Sequence, residues 1–184
     1  MECGMECASV IGTGSVMQTN LSSFLEDQHR AALRLLEALM ATTERAVKTR
    51  TQLLEKLEGE LYHHMLLEEE IVYPALETAV ERKQDLRPSH IARAEHDAMK
   101  AMLKELGTAD PASLGFSAKL KVLKDLIEQH VAHEEASVFP LIVQVFTPAE
   151  VNLLVRRVFE RHDELEARRA WSEDALVLAF AAPN

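Results

Sequence analysis

The fold of this chain is indicated by two similar stretches, HMLLEEEIVYP at residues 64–74 and HVAHEEASVFP at residues 130–140. Both stretches carry a histidine, two adjacent glutamates, a valine and a proline at the same positions, and they are 66 residues apart. In each stretch the first glutamate follows the histidine by four residues, so both side chains lie on one face of a helix, one turn apart. Each stretch therefore predicts a helix that presents a histidine and a glutamate together.

A second match lies upstream of each stretch, with QHRA at residues 28–31 and EHDA at residues 95–98. Leucines follow both short matches at the same spacing, and here the offset is 67 residues. Each half of the chain is then a helix with one histidine, His29 or His96, followed by a helix with the His-x-x-x-Glu motif. Two such halves, packed about a pseudo-twofold axis, would place four helices around one core.

Apolar residues recur at helical spacing through most of the remaining chain. Thr147 and Pro148, followed by Glu150, are typical of a helix start, which predicts a fifth helix. Apolar residues make up 47% of the 184 residues and aromatic residues only 5%, with six glycines and six prolines, a composition that favours helices over sheets. We therefore predict an all-α fold, an up-down-up-down four-helix bundle with an additional C-terminal helix.

The pattern divides the chain into three parts. Residues 1–20 show no sustained period and are predicted to be a flexible N-terminal arm, residues 21–170 form the bundle with its C-terminal helix, and residues 171–184 form a tail. The tail is apolar, so we expect it to pack on the bundle or on a partner, and a homodimer is one expectation. Cys3 and Cys7 lie in the arm, where two reduced thiols are favoured over a shared metal.

The two halves would direct four imidazoles and two carboxylates into the core of the bundle. Imidazoles suit iron, zinc or copper, and bridging carboxylates suit pairs of iron or manganese ions. A glutamate buried without a partner costs several kcal/mol, which argues that Glu68 and Glu134 are there for a cation. The alternative is that each His-x-x-x-Glu motif is a solvated pair on a helix surface. That alternative fits one copy better than two copies in a matched context.

At these residues the chain resembles the hemerythrin-like family, also called the HHE cation-binding domain, over roughly residues 21–165. The resemblance implies a four-helix bundle around a non-haem di-iron centre, and we also consider zinc or manganese as substitutes for iron. The two glutamates would bridge the ions. The metal ligands that the resemblance implies are His29, His64, Glu68, His96, His130 and Glu134.

The sequence departs from the oxygen-carrying hemerythrins in two places. Those proteins have a further histidine one turn after the histidine of the third helix, where this chain has Lys100, and an aspartate where this chain has Glu134. One nitrogen ligand fewer leaves an open iron position. This departure disfavours a pure oxygen carrier and leaves room for peroxide or nitric oxide chemistry, oxygen sensing or iron handling.

Residues next to the implied ligands have two interpretations each. His133 either joins the site or lies at its rim, and the rim is favoured. Glu69 and Glu135 either accept the free N–H of a ligand histidine or are solvated. His63 points away from His64 around the helix and is interpreted as a surface or packing residue. We interpret the remaining candidates as core (Tyr73 and Phe139) or as surface (His90 and His162).

The leading hypothesis is a cytoplasmic protein that binds metal ions together with a small diatomic ligand or peroxide, with enzymatic activity left open. One alternative is a metal-dependent sensor or interaction module without catalysis, in which the arm or the tail transmits the change. A second alternative is a structural bundle filled with zinc. The net charge of −10 and the lack of a basic stripe argue against nucleic acid. No apolar run approaches the roughly 20 residues that span a bilayer, and no secretory signal is recognised.

Overall fold

A computed structural model describes the backbone of residues 13–80 and 86–181 and the side chains of residues 21–80 and 86–169. The described residues contain helices and no β-strand. The α-helices are α1 (Thr13–Met40), α2 (Val47–Leu67), α3 (Tyr73–Ala79), α4 (Arg87–Thr108), α5 (Leu114–His133), α6 (Phe139–Val145) and α7 (Pro148–Ala181). Two π-helical segments, Glu68–Val72 and Glu134–Val138, join α2 to α3 and α5 to α6 without a loop.

Four long helical rods therefore form the bundle. They are α1, α2 continued by its π segment and α3, α4, and α5 continued by its π segment and α6. Helix α7 is the additional C-terminal helix. Within each half the two helices run antiparallel, because residue numbers rise in one as they fall in the other. In the first half, His29 contacts His64 at one level and Thr42 contacts Arg50 at another. In the second half, His96 contacts His130 and Glu105 contacts Lys119. Short loops between neighbouring helices favour this arrangement. The predicted all-α class, with four bundle helices and one more, is confirmed.

The predicted arm and tail overlap the described residues only in part. The arm was predicted to cover residues 1–20, but helix α1 begins at Thr13, so the arm is helical from that residue onward. Cys3 and Cys7 lie outside the described residues. Helix α7 extends to Ala181, so most of the tail, residues 171–184, continues that helix. In the part of the chain that the structure describes, no helix is both long and apolar enough to cross a bilayer.

The bundle interior contains two apolar clusters, one near the α1–α2 and α4–α5 loops and one at the opposite end of the bundle, near Pro74 and Pro140. The loop-end cluster includes Leu36, Leu39, Leu57, Met65, Met99, Leu103, Phe116, Leu123 and Ile127. The proline-end cluster includes Leu25, Leu67, Val72, Leu76, Val138, Ile142, Val151 and Val158. The buried histidines fall between these clusters along every rod; His29, for example, lies between Leu25 and Ala32. A polar layer is therefore enclosed by apolar side chains above and below.

The prolines of the two repeats do not end their helices. A proline inside a helix normally kinks or ends it, and here a π turn lies just before each proline. The backbone N–H of Tyr73 bonds to the carbonyl of Glu68, and that of Phe139 bonds to the carbonyl of Glu134, both five residues back. A proline lacks an N–H and its ring collides with the carbonyl four residues back, so a wider turn accommodates it. The two π turns begin at Glu68 and Glu134, the glutamates of the His-x-x-x-Glu motifs.

Helix α7 begins as its sequence predicts. The backbone N–H of Thr147 donates to the Glu150 carboxylate at 2.8 Å, and the Glu150 N–H donates back to Thr147 Oγ1 at 3.4 Å. This reciprocal pair is the capping box expected from the sequence. From there α7 packs against α1, α2 and the first π segment. Arg161 and Arg169 of α7 pair with Glu70 and Glu60, respectively.

Arg50 is the buried cation at the loop end of the bundle, with only 2% of its surface exposed. Its guanidinium donates to Pro111 O, to Ser117 Oγ at 2.7 Å and to Thr42 Oγ1 at 3.0 Å. It also lies over the ring of Phe116, 4.9 Å from the centroid. One side chain thus connects α2 to both loops and to the start of α5.

We expect Arg50→Met to lower the free energy of unfolding by about 2–3 kcal/mol, because the half-buried acceptors on Pro111 and Ser117 lose a charged donor that is itself buried. Urea denaturation of the metal-free protein measures this change. Arg45→Met is the matched control, since Arg45 is exposed in the loop between α1 and α2. Equal stability of the two variants would show that the Arg50 contacts do not hold the loops.

Candidate metal centre

The structure brings all six residues implied as ligands into the polar layer. His29 comes from α1, His64 from the end of α2, His96 from α4 and His130 from α5. Glu68 and Glu134 are the first residues of the two π segments. None of the six is more than 4% exposed. The i,i+4 spacing therefore does what the sequence predicts, since each glutamate lies beside the histidine of its own helix.

The four imidazoles form two pairs that face each other through their Nε2 atoms. His29 Nε2 lies 2.9 Å from His64 Nε2, and His96 Nε2 lies 3.2 Å from His130 Nε2. Each pair joins the two helices of one half of the repeat. Two nitrogen atoms at such a separation can reach one ion, because zinc–nitrogen bonds are about 2.0–2.1 Å long.

The two carboxylates lie between the pairs. Glu68 Oε2 is 3.2 Å from Nε2 of both His64 and His96. Glu134 Oε2 is 3.3 Å from His29 Nε2 and 3.6 Å from His130 Nε2. Each glutamate thus contacts one histidine of each pair. This arrangement fits carboxylates shared between two ions.

Unpaired buried atoms support a cation in this layer. Among the described residues, Glu68 Oε1 and Glu134 Oε2 are buried and make no hydrogen bond; the contact of Glu134 Oε2 with His29 lacks hydrogen-bonding geometry. Buried carboxylate oxygens are normally hydrogen-bonded or bound to metal. Two sets of donor atoms lie close enough for one ion each: His29, His64, His130 and Glu134, and Glu68, His96 and His130. The residues present fit a metal centre.

Outer partners hold three of the four imidazoles through Nδ1. Glu69 accepts from His96 Nδ1 at 2.8 Å and is itself held by Lys100 at 2.6 and 2.8 Å. Glu95 Oε2 lies 3.3 Å from His130 Nδ1 and 3.1 Å from His133 Nδ1. Such contacts fix the tautomer, because an Nδ1 that donates leaves Nε2 with its lone pair.

Two of these outer partners were missed in the sequence. Glu95 precedes His96, and Gln28 precedes His29, with Gln28 Oε1 3.1 Å from His64 Nδ1. Both residues occupy the position before the first histidine of each repeat, which was the available signal. Helical geometry explains their role, since a neighbour on the helix points about 100° away and reaches the adjacent rod.

Tyr73 was interpreted as a core residue, and it is buried, but its hydroxyl belongs to the polar layer. Its hydroxyl donates to Glu134 Oε1 at 2.7 Å and lies 3.3 Å from Glu68 Oε2 and 3.5 Å from His96 Nε2. Its counterpart Phe139 has no hydroxyl and stacks 6.3 Å from the His29 ring. The tyrosine therefore makes the two halves of the site chemically different.

The other histidines lie away from the two pairs. His90 is exposed and His133 lies at the rim, against Glu95. The surface interpretation of His162 is wrong: its Nδ1 lies 2.9 Å from His63 Nε2 and its ring meets Phe24 edge-on, because α7 packs over α2. His63 is a packing residue, 8% exposed, with Nδ1 3.0 Å from Glu166.

The comparisons with known proteins agree with this geometry. The Hemerythrin HHE cation binding domain family matches residues 20–142, more than half of the chain. The chain belongs to this family. A crystal structure of a hemerythrin HHE cation-binding domain-containing protein from Mycobacterium kansasii superposes with a TM-score of 0.67 at 23% identity, covering 80% of this chain and 87% of that one. No curated protein matches the sequence.

Burial and neighbouring charges shift the pKa values of residues in this hemerythrin-family site in opposite directions. Burial lowers the pKa of His64 to about 4. Burial also lowers the pKa of His96, but Glu68 and Glu69 outweigh it and raise that pKa to about 9. Burial and the charge of Glu68 raise the pKa of Glu134. Burial raises the pKa of Glu68, but His64 and His96 hold it well below its usual range.

We expect the contributions of His64 and His96 to the stability of the metal-free hemerythrin-like bundle to be largest together near pH 6.5. His64 takes up its proton in the unfolded chain first, so stability is lost as the pH falls from 6.5 to about 4. His96 keeps its proton in the folded chain, so stability is lost as the pH rises from 6.5 to about 9. Each effect is at most about 3 kcal/mol.

Urea denaturation of chelator-treated protein across this pH range measures both effects. His96→Gln should reduce the alkaline decline, leaving the part due to His29, whose pKa burial lowers but Glu134 and Glu68 raise overall. His64→Gln should reduce the acidic decline, leaving the part due to His63, whose pKa burial also lowers. A wild-type stability that stays level between pH 6.5 and 9, or an alkaline decline as large in His96→Gln as in the wild type, would contradict the assignment to His96.

Tyr73→Phe should lower the unfolding free energy of the metal-free protein by about 1–3 kcal/mol at neutral pH, because Glu134 Oε1 loses its donor in a buried layer. Chemical denaturation measures it. Tyr62→Phe is the matched control, since Tyr62 is 40% exposed and is the other tyrosine of the chain. If both variants unfold alike, the Tyr73 hydroxyl does not support the carboxylates.

Proposed function

We propose that this domain holds two iron ions and binds or converts a small ligand such as dioxygen, peroxide or nitric oxide. The observation that carries the proposal is the pair of buried glutamates. Each contacts one histidine from each imidazole pair, and each has a buried oxygen that makes no hydrogen bond. When bound, iron supplies one-electron redox chemistry and coordination positions open to small molecules.

The proposed ligands are the six residues that the sequence implies. His29 and His64 would hold one ion and His96 and His130 the other, with Glu68 and Glu134 shared between them. Four imidazoles with two carboxylates are a mixed nitrogen and oxygen set that suits iron, and zinc and manganese remain competitors for it. The apolar clusters on both sides exclude water from the layer.

The chain's own residues favour reactivity over simple carriage. Lys100 stands four residues after His96, where an oxygen carrier has a further histidine, and it pairs with Glu69 on the outer side of the site. Six side chains shared by two ions leave positions for a small ligand. Burial, followed by the Glu68 and Glu134 charges, raises the pKa of Tyr73, so its hydroxyl keeps its proton at the edge of both carboxylates.

Two surface cavities lie away from the proposed ligands. One cavity of about 330 Å³ is lined by residues of α3 and α7, including Ala75 and Leu154. Another of about 370 Å³ is lined by residues of α2 and α7, including Gln52 and Arg169. Neither is lined by any of the six proposed ligands. A diatomic ligand or peroxide needs no such cavity.

A second candidate function is sensing, and the contacts of α7 favour it. Arg161 of α7 donates to Glu70 at 2.8 and 3.3 Å, and Glu70 lies in the π segment that begins with Glu68. A change in the position of Glu68 can therefore reach α7 through two residues of the same turn. In this version the C-terminal helix would transmit the state of the site to a partner.

Anaerobic loading with Fe(II) tests the proposal. We expect two iron ions per chain and new near-ultraviolet and visible bands when oxygen, peroxide or nitric oxide is admitted. The His64→Ala/His130→Ala double variant should lose both iron and bands. His90→Ala is the control, since His90 is exposed and remote from the imidazole pairs, and it should load as the wild type does.

The outcomes separate the candidates. Bands that reverse on removal of the gas indicate binding or sensing, and irreversible bands indicate peroxide or iron-handling chemistry. Exclusive retention of zinc when both metals are offered indicates a zinc-filled structural bundle. Equal iron uptake by the double variant would refute the ligand assignment.

A further inference from the structure

The four imidazoles differ in what holds their outer nitrogen. His96 and His130 each face a carboxylate through Nδ1, from Glu69 and Glu95. His64 faces the neutral amide oxygen of Gln28. His29 Nδ1 is buried and has no hydrogen-bond partner among the described residues. A carboxylate therefore contacts Nδ1 of both imidazoles in one pair and of neither imidazole in the other.

The difference arises at equivalent positions of the repeat. Gln28 and Glu95 occupy the same place, each before the first histidine of its half and each against the Nδ1 of the second. The exchange of an amide for a carboxylate leaves the contact in place and changes only its charge. The first difference between the halves is therefore electrostatic.

The second difference concerns Glu69 and its equivalent Glu135. Glu69 reaches the first histidine of the other half, His96, and Lys100 holds it there. By the same symmetry Glu135 would reach His29, but Glu135 is exposed and acts on His29 only through its charge, as the smallest of the causes that raise the His29 pKa, without a hydrogen bond. The residue equivalent to Lys100 is Leu33, which packs against the loop-end cluster and offers no charge. Without a cation to hold it, Glu135 stays in solvent.

We propose that the two metal positions are unequal, and that the His96/His130 position binds an ion more tightly and fills first. The His29/His64 position is the weaker and more exchangeable one. This inference rests on the two-metal centre proposed above. A carboxylate on the free N–H of a ligating imidazole makes the other nitrogen a stronger donor, and loss of such a carboxylate typically costs 10–100-fold in metal affinity.

The shared groups do not produce this order. Glu68 and Glu134 each contact one histidine of each pair, so the effects of the two carboxylates fall on both positions. The Tyr73 hydroxyl contacts both carboxylates and also lies 3.5 Å from His96 Nε2, but it faces the inner nitrogen and leaves Nδ1 to the outer partners. The outer carboxylates fall on one only, so they decide which position is stronger.

Zinc titration of the metal-free full chain tests the order. Calorimetry gives the number and strength of the binding steps, and ¹⁵N spectra of labelled histidines show which imidazoles respond at each step. Zinc suits the measurement because it binds imidazole and is diamagnetic. Titrations in buffers of different protonation enthalpy correct the measured steps for the protons that metal binding releases. We expect two steps, with the first equivalent shifting the resonances of His96 and His130 only.

Three variants extend the test. Glu69→Gln and Glu95→Gln should each weaken the first step by about 10–100-fold and leave the second step close to its wild-type strength. Gln28→Glu should strengthen the second step, because His64 then gains the anion that His130 already has. Glu128→Gln is the control, since Glu128 is exposed on α5 and pairs with Lys124.

Each result has a definite meaning. A first equivalent that is spread over all four imidazoles, or that shifts His29 and His64 first, overturns the proposed order and leaves the two-metal centre standing. No change of the second step in Gln28→Glu overturns the electrostatic cause. No zinc bound to these four histidines overturns the metal centre itself and the order with it.

Discussion

The cost of burying two carboxylates and four imidazoles between two apolar clusters governs the rest of this structure. Removing an ion from water costs several kcal/mol even in a relaxed protein, and attraction to a partner of opposite charge must offset that cost. In the metal-free bundle the offset is incomplete, since Glu68 Oε1 and Glu134 Oε2 lack hydrogen bonds. Divalent ions would offset the two carboxylate charges and give Glu68 Oε1 and Glu134 Oε2 a partner, so the same arrangement that is costly when empty of cations is suited to binding them.

The helices that carry the His-x-x-x-Glu motif contain a π turn beside this polar layer. A regular α-helix through Pro74 would set the proline ring against the carbonyl four residues back, and the π turn that relieves the collision begins at Glu68. The same solution recurs at Pro140 and Glu134. The wider turns lie in the helices that carry the His-x-x-x-Glu motif, so the proline in the repeat is part of how the site is built. This agrees with the frequent occurrence of π turns at functional sites.

Much of this architecture could be predicted from the sequence, because it follows from spacing. The i,i+4 motif, the single upstream histidine and the duplicate copy together predict four helices and the convergence of six side chains. What spacing cannot show is how a helix neighbour reaches across to the next rod, and so Gln28 and Glu95 were missed. The position of His162 was missed for a related reason, since it depends on how α7 lies over α2, and nothing in the repeat describes α7.

The inequality of the two halves and the position of α7 are connected. Helix α7 packs against α1, α2 and the first π segment, so it lies over the half that contains His29 and His64. Its contacts there continue from Glu70–Arg161 to the chain of Glu166, His63 and His162, and His63 is the neighbour of His64. The imidazole pair without outer carboxylates is thus the pair beside the additional helix. If that position is the exchangeable one and the domain is a sensor, α7 would respond to the occupancy of that position, and so only after the first ion is already in place.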